Sequence, residues 1–429
     1  MSGSVVLTVA TGIVASTGPG TGGRAVRRGG PVGAVTDLDG LLDFAARSWL
    51  PAGGFGYLGA DGRLLADRPM QTWIVARMTH VFGLAHLIGR PGADELSRHG
   101  VEALTGGALH DAAHGGWFAG TDDPTKAAYV HAFVLLAGST ATAAGIDGGP
   151  ALLDDALQVW QTRFWDDDAG LAVEEWDPEW TRLNPYRGVN ANMHGVEASL
   201  AAADALAATD PGTADRLRAQ ALRSTERVLH GWAREREWRL PEHFTPDWVP
   251  LPEYNRDRPA DPFRPYGVTI GHQFEWARLA VHLRAALSGE SGHRAPAWLL
   301  DDARGLFDAA ASRGWAPDGH DGFPYTLDWN DRPVVGARMH WVLCEAVAAA
   351  SVLAEVTGEP RYRELARRWR EHGEQRFADP DTGSWHHELT STGDVSTGTW
   401  AGQPDAYHLA QMLLLAGRPV RGSVAAALR

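Results

Sequence analysis

The spacing between helical segments restricts this chain more than the segments themselves do. About twelve stretches repeat apolar residues at the helical period, near 36–49, 70–89, 93–106, 126–144, 151–164, 190–208, 212–231, 270–288, 298–312, 338–356, 361–377 and 405–416. The links between them alternate. Long ones (51–69, 107–125, 165–189, 232–269, 313–337 and 378–404) are interleaved with short ones (89–92, 145–150, 208–212, 288–297 and 358–360). A short link folds its two helices into an antiparallel pair. Strict alternation then gathers the long loops at one end of the molecule and the short links at the other.

The long loops resemble one another. Five place a glycine before aromatic or apolar residues: Gly54-Phe55-Gly56-Tyr57-Leu58, Gly116-Trp117-Phe118, Gly170-Leu171-Ala172-Val173, Gly322-Phe323-Pro324-Tyr325 and Gly383-Ser384-Trp385-His386. These predict short β-ribbons. The loop at 232–269 fits poorly, offering only Trp238-Arg239-Leu240. Helix pairs recurring along one chain argue for a toroid or solenoid. The predicted fold is all-α: an (α/α)6 barrel of six helix pairs, six helices inside and six outside, with long loops carrying short β-ribbons at one end. Thr36-Asp37-Leu38-Asp39 reads as a capping box for the first helix, whose stripe is Leu38, Leu41, Leu42, Ala45 and Trp49.

The barrel accounts for residues 36–429 as a single catalytic domain. Residues 1–35, rich in small residues with Arg24, Arg27 and Arg28, predict a disordered leader. Val5 to Ala15 is apolar like a secretory signal, but no positive segment precedes it, so a cytoplasmic protein is expected. The 39 Lys+Arg against 53 Asp+Glu give a net charge of −14. That argues against nucleic acid or a membrane surface as partner, since both need a basic face. The lone Cys344 excludes a disulfide framework and a cysteine-built zinc site. No uncharged apolar run reaches the roughly 18 residues of a membrane span. The 18 tryptophans lean toward a sugar-like ligand, since rigid aromatic walls with a polar handle suit one.

Every second helix starts from a long loop, so six N-termini converge at the loop end. Their early residues are polar: Trp73, Arg77 and His80; Tyr129 and His131; Asn190, His194 and Glu197; His272, Glu275 and Trp276; Arg338, His340, Trp341 and Glu345; Asp405, Tyr407 and His408. Spacings of three or four keep partners such as Asn190/His194 and His272/Glu275 on one face. A lone helix histidine is usually structural, and His80, His86, His99, His110, His114 and His131 are expected to be so. His194, His272 and His408 differ because three separate helix starts each bring an imidazole to one place. Imidazoles around an aromatic cavity suit general acid–base chemistry near neutral pH. Glu275 is expected to hold one ring tautomer by accepting from its N–H, and Arg77 to stabilise a developing oxyanion. No compact metal-ligand set, serine elbow or nucleotide fingerprint appears, so no cofactor or metal is expected.

Several of these residues form longer motifs. Arg77, Asn190-Ala191-Asn192-Met193-His194 with Glu197-Ala198, Gly271-His272-Gln273-Phe274-Glu275-Trp276-Ala277-Arg278-Leu279, Arg338-Met339-His340-Trp341 with Glu345-Ala346, and Gly402-Gln403-Pro404-Asp405-Ala406-Tyr407-His408 resemble the N-acylglucosamine 2-epimerase superfamily over roughly 37–418. The last motif is similar to its aldose–ketose isomerase branch, the mannose and sulfoquinovose isomerases. The resemblance implies an (α/α)6 barrel and metal-free isomerisation of a monosaccharide, D-mannose to D-fructose, through a cis-enediol. By similarity His272 and His408 are the acid/base pair and His194 opens the sugar ring. Arg77, Tyr129, Asn190, Arg264, Glu275 and Trp341 are implied as substrate contacts. His340 stands where the cellobiose epimerase branch usually has a second Trp. A monomer or small homo-oligomer is expected. Three other readings stay open: a 2-epimerase of cellobiose or N-acylglucosamine type, a non-catalytic sugar-binding protein, and an (α/α)6 glycoside hydrolase. The hydrolase would need a carboxylate pair, for which Glu175, Glu242 and Asp328 are offered by long loops.

Overall fold

Six helices of this chain are apolar on nearly every face, so each must be surrounded by protein. The computed structural model describes residues 36–288 and 295–429, and the leader expected at 1–35 lies outside them. The six are α2 (Thr72–Leu87), α4 (Ala128–Ala143), α6 (Val189–Leu206), α8 (Ile270–Leu287), α10 (His340–Thr357) and α12 (Tyr407–Leu415). Each packs on the next and α12 returns to α2, closing a ring. Outside it lie α1 (Leu38–Ala46), α3 (Ala93–Gly106), α5 (Gly149–Val159), α7 (Pro211–Thr225), α9 (Trp298–Gly314) and α11 (Pro360–Arg376). These carry one buried stripe each; α11 buries only Tyr362, Trp369 and Gly373. The fold is the expected (α/α)6 barrel.

A short α13 (Val424–Leu428), absent from the sequence reading because five residues show no periodicity, packs against α2, α4, α6 and α12. α10 is long and apolar enough to cross a membrane, but 72% of it is buried inside the barrel. The cap of α1 is Asp37, which accepts from Gly40 N–H at 2.6 Å; Thr36 instead accepts from the Trp385 indole at 3.0 Å. Trp49, expected on the buried stripe, lies past the end of α1 and is exposed.

The long loops do more than decorate. Some form internal ribbons, such as Trp165–Asp166 with Leu171–Ala172 and Ala378–Asp379 with Ser384–Trp385. Gly170 (φ 66°) and Gly383 (φ 82°) take left-handed backbone there, which glycine adopts without penalty. Others join one repeat to the next. The residues just before an inner helix pair with the following long loop: Lys126–Ala127 with Glu175–Trp176, Arg187–Gly188 with His243–Phe244, Val268–Thr269 with Thr326–Leu327, and Arg338–Met339 with Glu388–Leu389. The loop at 232–269 therefore carries a strand that its sequence did not announce.

The same stitching caps five of the inner helices, whose N-cap residues offer no side-chain cap, while the first N–H of α12, that of Tyr407, is accepted by the Asp405 carboxylate at 2.8 Å. The N–H of Thr72 is accepted by the carbonyl of Ala119, Ala128 by Glu174, Val189 by Glu242, Ile270 by Tyr325 and His340 by His387. A helix N-terminus leaves orphan donors that need such partners. Capping by the neighbouring loop also places Glu242 and His387 at the mouth of the barrel.

The interior holds neutral imidazoles. Burial lowers His80 to about 4, His131 to about 3 and His282 to about 4. Each titrates near 6.5 when unfolded. Below that pH the unfolded chain binds protons that the folded one refuses, so stability falls as pH falls from about 6.5 to about 4, by roughly 1.4 kcal/mol per pH unit for each histidine. Thermal unfolding is expected to move steeply downward from pH 7 to pH 5, and the His282→Gln variant to show a shallower slope.

Candidate active site

Because six inner helices start at one end, their first two turns wall a cavity there. It is lined by Trp73 and Arg77 from α2, Tyr129 from α4, Asn190 and His194 from α6, His272 and Glu275 from α8, His340 and Trp341 from α10, and Asp405 and His408 at the start of α12. Pro262, Phe263, Tyr325, His387, Trp400 and Pro404 come from long loops. Eight of the nine site residues expected from sequence thus share one wall. Arg264 does not line the cavity: although it follows Phe263 on the same loop, it pairs with Glu175 at 3.3 Å and stacks its guanidinium over Tyr186 at 4.2 Å.

Two imidazoles are built alike. His408 Nδ1 meets Glu345 at 2.9 Å, and His272 Nδ1 meets Glu242 at 3.0 Å. A carboxylate on Nδ1 fixes the tautomer with Nε2 free and favours the imidazolium when it forms. The partner of His272 is therefore Glu242 from the neighbouring loop, not Glu275 as the i,i+3 spacing suggested. The loop strand that caps α6 brings Glu242 to that nitrogen. Trp341 lies between the two imidazoles, with ring centroids 5.3 Å from His272 and 5.5 Å from His408. It fits there because residue 271 is glycine: a Cβ would meet the indole at 2.1 Å. Burial, opposed by Glu345, holds His408 below 6.5, so it is neutral at pH 7.

Beneath them lies a charged floor that sequence reasoning missed. Arg278 Nε is 2.8 Å from Glu345, and its Nη2 is 3.5 Å from Glu275 and 3.8 Å from Glu197. Tyr407 donates to Glu197, and Gln411 donates to it at 3.1 Å. Burial pushes both Glu197 and Glu345 up, but Arg278 and hydrogen bonds to each carboxylate outweigh it and hold both below the usual carboxylate range. Glu275, buried and next to Glu345, is raised well above that range; neither of its oxygens has a hydrogen-bond partner. His194 Nδ1 lies 3.5 Å from Glu197 and 3.7 Å from Glu275 without a regular hydrogen bond, and burial lowers it to about 4. Arg77 donates to Asp405 at 3.1 Å and to Tyr129 at 2.9 Å.

Two residue sets could ligate a cation by type, His194/Glu197/Glu275 and Glu275/Glu345/His408. Both border Arg278, whose guanidinium already supplies positive charge between the carboxylates. The loop carboxylates considered for a hydrolase are engaged elsewhere: Glu242 with His272, Glu175 with Arg264, and Asp328 with the N–H groups of Asn330 and Arg332. None of the three lines the cavity. His387, Phe263 and Trp400 were not foreseen, since they sit on irregular loops with no periodicity to place them.

The family model for N-acylglucosamine 2-epimerase (GlcNAc 2-epimerase) matches residues 53–412. The chain belongs to this family. A D-mannose isomerase of Thermobifida fusca is 50% identical over 396 residues, covering 90% of this chain and 94% of its own. Another, of Pseudomonas cannabina pv. alisalensis, is 48% identical over 392 residues, covering 90% and 92%. A crystal structure of a D-mannose isomerase is similar at a TM-score of 0.79 with 25% identity, over 88% of this chain and 95% of that one. The cellobiose 2-epimerase from Spirochaeta thermophila shares the fold at a TM-score of 0.73 with 22% identity, over 88% and 93%.

Proposed function

We propose that this chain is an aldose–ketose isomerase that interconverts D-mannose and D-fructose by metal-independent proton transfer through a cis-enediol. The observation that carries this is the pair of imidazole–carboxylate units, His272–Glu242 and His408–Glu345, facing one cavity across Trp341. One imidazole takes the proton from C2 while the other protonates the carbonyl oxygen at C1. The enediol then collapses: C1 regains a proton and the C2 hydroxyl loses one. Each carboxylate favours its imidazolium as that charge forms. Inner-helix N-termini add positive potential where the enediolate oxygens develop charge. His194, beside Asn190, assists ring opening. Arg77, Tyr129, Asn190, Glu275 and Trp341 hold the sugar, and Arg264 steadies the loop above it.

The sugar is neutral on this reading. Among the described residues lining the cavity, Arg77 is the sole arginine or lysine, and it is committed to Asp405 and Tyr129. A sulfonate or phosphate would find no free cation, which favours mannose over sulfoquinovose. The close relatives that act on D-mannose support the same choice. A cytoplasmic setting, with no nucleic-acid or membrane partner, and a monomer or small homo-oligomer complete the proposal.

Incubation with D-mannose is expected to yield D-fructose, at an unchanged rate after exhaustive chelation. Sulfoquinovose and mannose 6-phosphate are expected to be poor substrates. Glucose as the main product from mannose would make the chain an epimerase. Loss of activity on chelation, restored by one divalent ion, would make the imidazoles ligands.

A further inference from the structure

Trp400 lines the cavity from a segment with no regular secondary structure. Its indole meets Phe263 edge-on at 5.3 Å and 90°, and Trp73 at 6.1 Å and 66°. Phe263 comes from the loop before α8 and Trp400 from the loop before α12, so two loops from different repeats close over the same space. Rigid placement of an aromatic wall needs a rigid backbone beneath it, and nothing in residues 396–400 supplies one.

Glu388 does. It is only 2% exposed and sits on the strand Glu388–Leu389, which pairs with Arg338–Met339 at the start of α10. Its Oε2 accepts from the backbone N–H of Thr399 at 2.8 Å and of Trp400 at 2.9 Å. Its Oε1 accepts from the Ser396 hydroxyl at 2.8 Å, and the Ser396 N–H bonds the Glu388 carbonyl at 2.9 Å. Among the described residues this buried carboxylate forms no ion pair; its partners are these loop donors. Charge-assisted bonds to backbone N–H groups are about twice as strong as neutral ones. His387, just before the strand, lines the cavity, so consecutive residues serve the site and the loop that covers it.

We propose that Glu388 is a positioning residue: its carboxylate, bonded to two consecutive loop amides, holds Trp400 as a fixed wall over the bound sugar. The proposal rests on reading the cavity as a monosaccharide site. Glu388 touches neither imidazole–carboxylate unit, so its loss weakens binding and spares proton transfer. Glu388→Ala is expected to raise KM for mannose about tenfold with kcat within about threefold, the signature of lost uniform binding. Trp400→Ala gives a similar KM, and the double variant is no worse than Trp400→Ala alone, because both changes remove the same wall. Glu388→Gln, which keeps one acceptor oxygen, falls between wild type and Glu388→Ala and serves if the alanine variant does not fold.

Amide hydrogen exchange supplies a readout that needs no sugar. Peptides covering 396–401 are expected to lose about tenfold or more of their protection in Glu388→Ala while the inner helices keep theirs. Unchanged exchange there overturns the proposal even where mannose is turned over. So does an additive double variant, or a fall in kcat with KM unchanged. Absence of mannose turnover by the wild-type enzyme overturns the substrate reading instead, and the exchange result then still decides whether Glu388 holds the loop.

Discussion

His408→Ala is expected to give a folded enzyme whose kcat on mannose is lower by roughly 10²–10⁴, because a positioned acid or base contributes about that much. The same holds for His272→Ala. Both side chains end at the cavity, so truncation removes chemistry with little packing. The acid–base reading makes a second demand. Glu345→Gln and Glu242→Gln keep shape and a hydrogen-bonding group but lose the charge that favours the imidazolium, so each is expected to act mainly on kcat. The pH profile adds a third. Burial, partly offset by Glu345, holds His408 below 6.5. The neutral base is present at pH 7, and activity is lost on acidification below that value as His408 protonates. Exchange of the C2 proton with solvent deuterium reports the step directly. A folded His408→Ala protein with near-wild-type turnover would sink the assignment, and an intact acid limb in that variant would assign the limb to another group.

The barrel was legible because its signal repeats. Alternating link lengths specify helix pairs, and six such pairs in one chain point to a closed ring. Residues on regular elements followed from helical phase, which is why Arg77, Tyr129, Asn190, His194, His272, Glu275, Trp341 and His408 could be gathered before their distances were known. Partners supplied by loops could not. Glu242 reaches His272 only because a two-residue strand joins the loop at 232–269 to the start of α6. Two residues carry no periodicity, so the i,i+3 neighbour Glu275 was the natural but wrong partner. Arg264 lies outside the cavity lining for the same reason, since its loop follows its own turns and ion pairs. Arg278 was in view within a motif, yet its role depends on carboxylates from α6, α8 and α10 meeting at one point, which no single segment encodes.

That meeting point carries the second large expectation. Arg278→Met keeps most of the aliphatic stem but removes the charge shared by Glu197, Glu275 and Glu345, all buried. Breaking a buried ionic group from one side typically costs about 3–5 kcal/mol. For a chain of this size that is a fall in Tm of about 5 °C. The three carboxyls tolerate one another now because Glu275 is kept neutral while Glu197 and Glu345 are held ionised. Without Arg278, burial raises Glu197 and Glu345 above their unfolded values. A raised carboxyl is unfavourable at high pH, and the penalty disappears as pH falls through the folded pKa. The gap in Tm between variant and wild type is therefore expected to be widest near pH 8 and to narrow toward pH 5. The buried histidines weaken both proteins on acidification, but less in the variant: burial and then Arg278 hold His282 down, and Arg278 also lowers His80, so losing that charge relieves both and narrows the gap in the same direction. Glu345 also loses its fixed orientation, so His408 loses its partner and kcat falls with stability. A Tm difference under about 1 °C, or one independent of pH, would show that Arg278 does not neutralise the floor of the site.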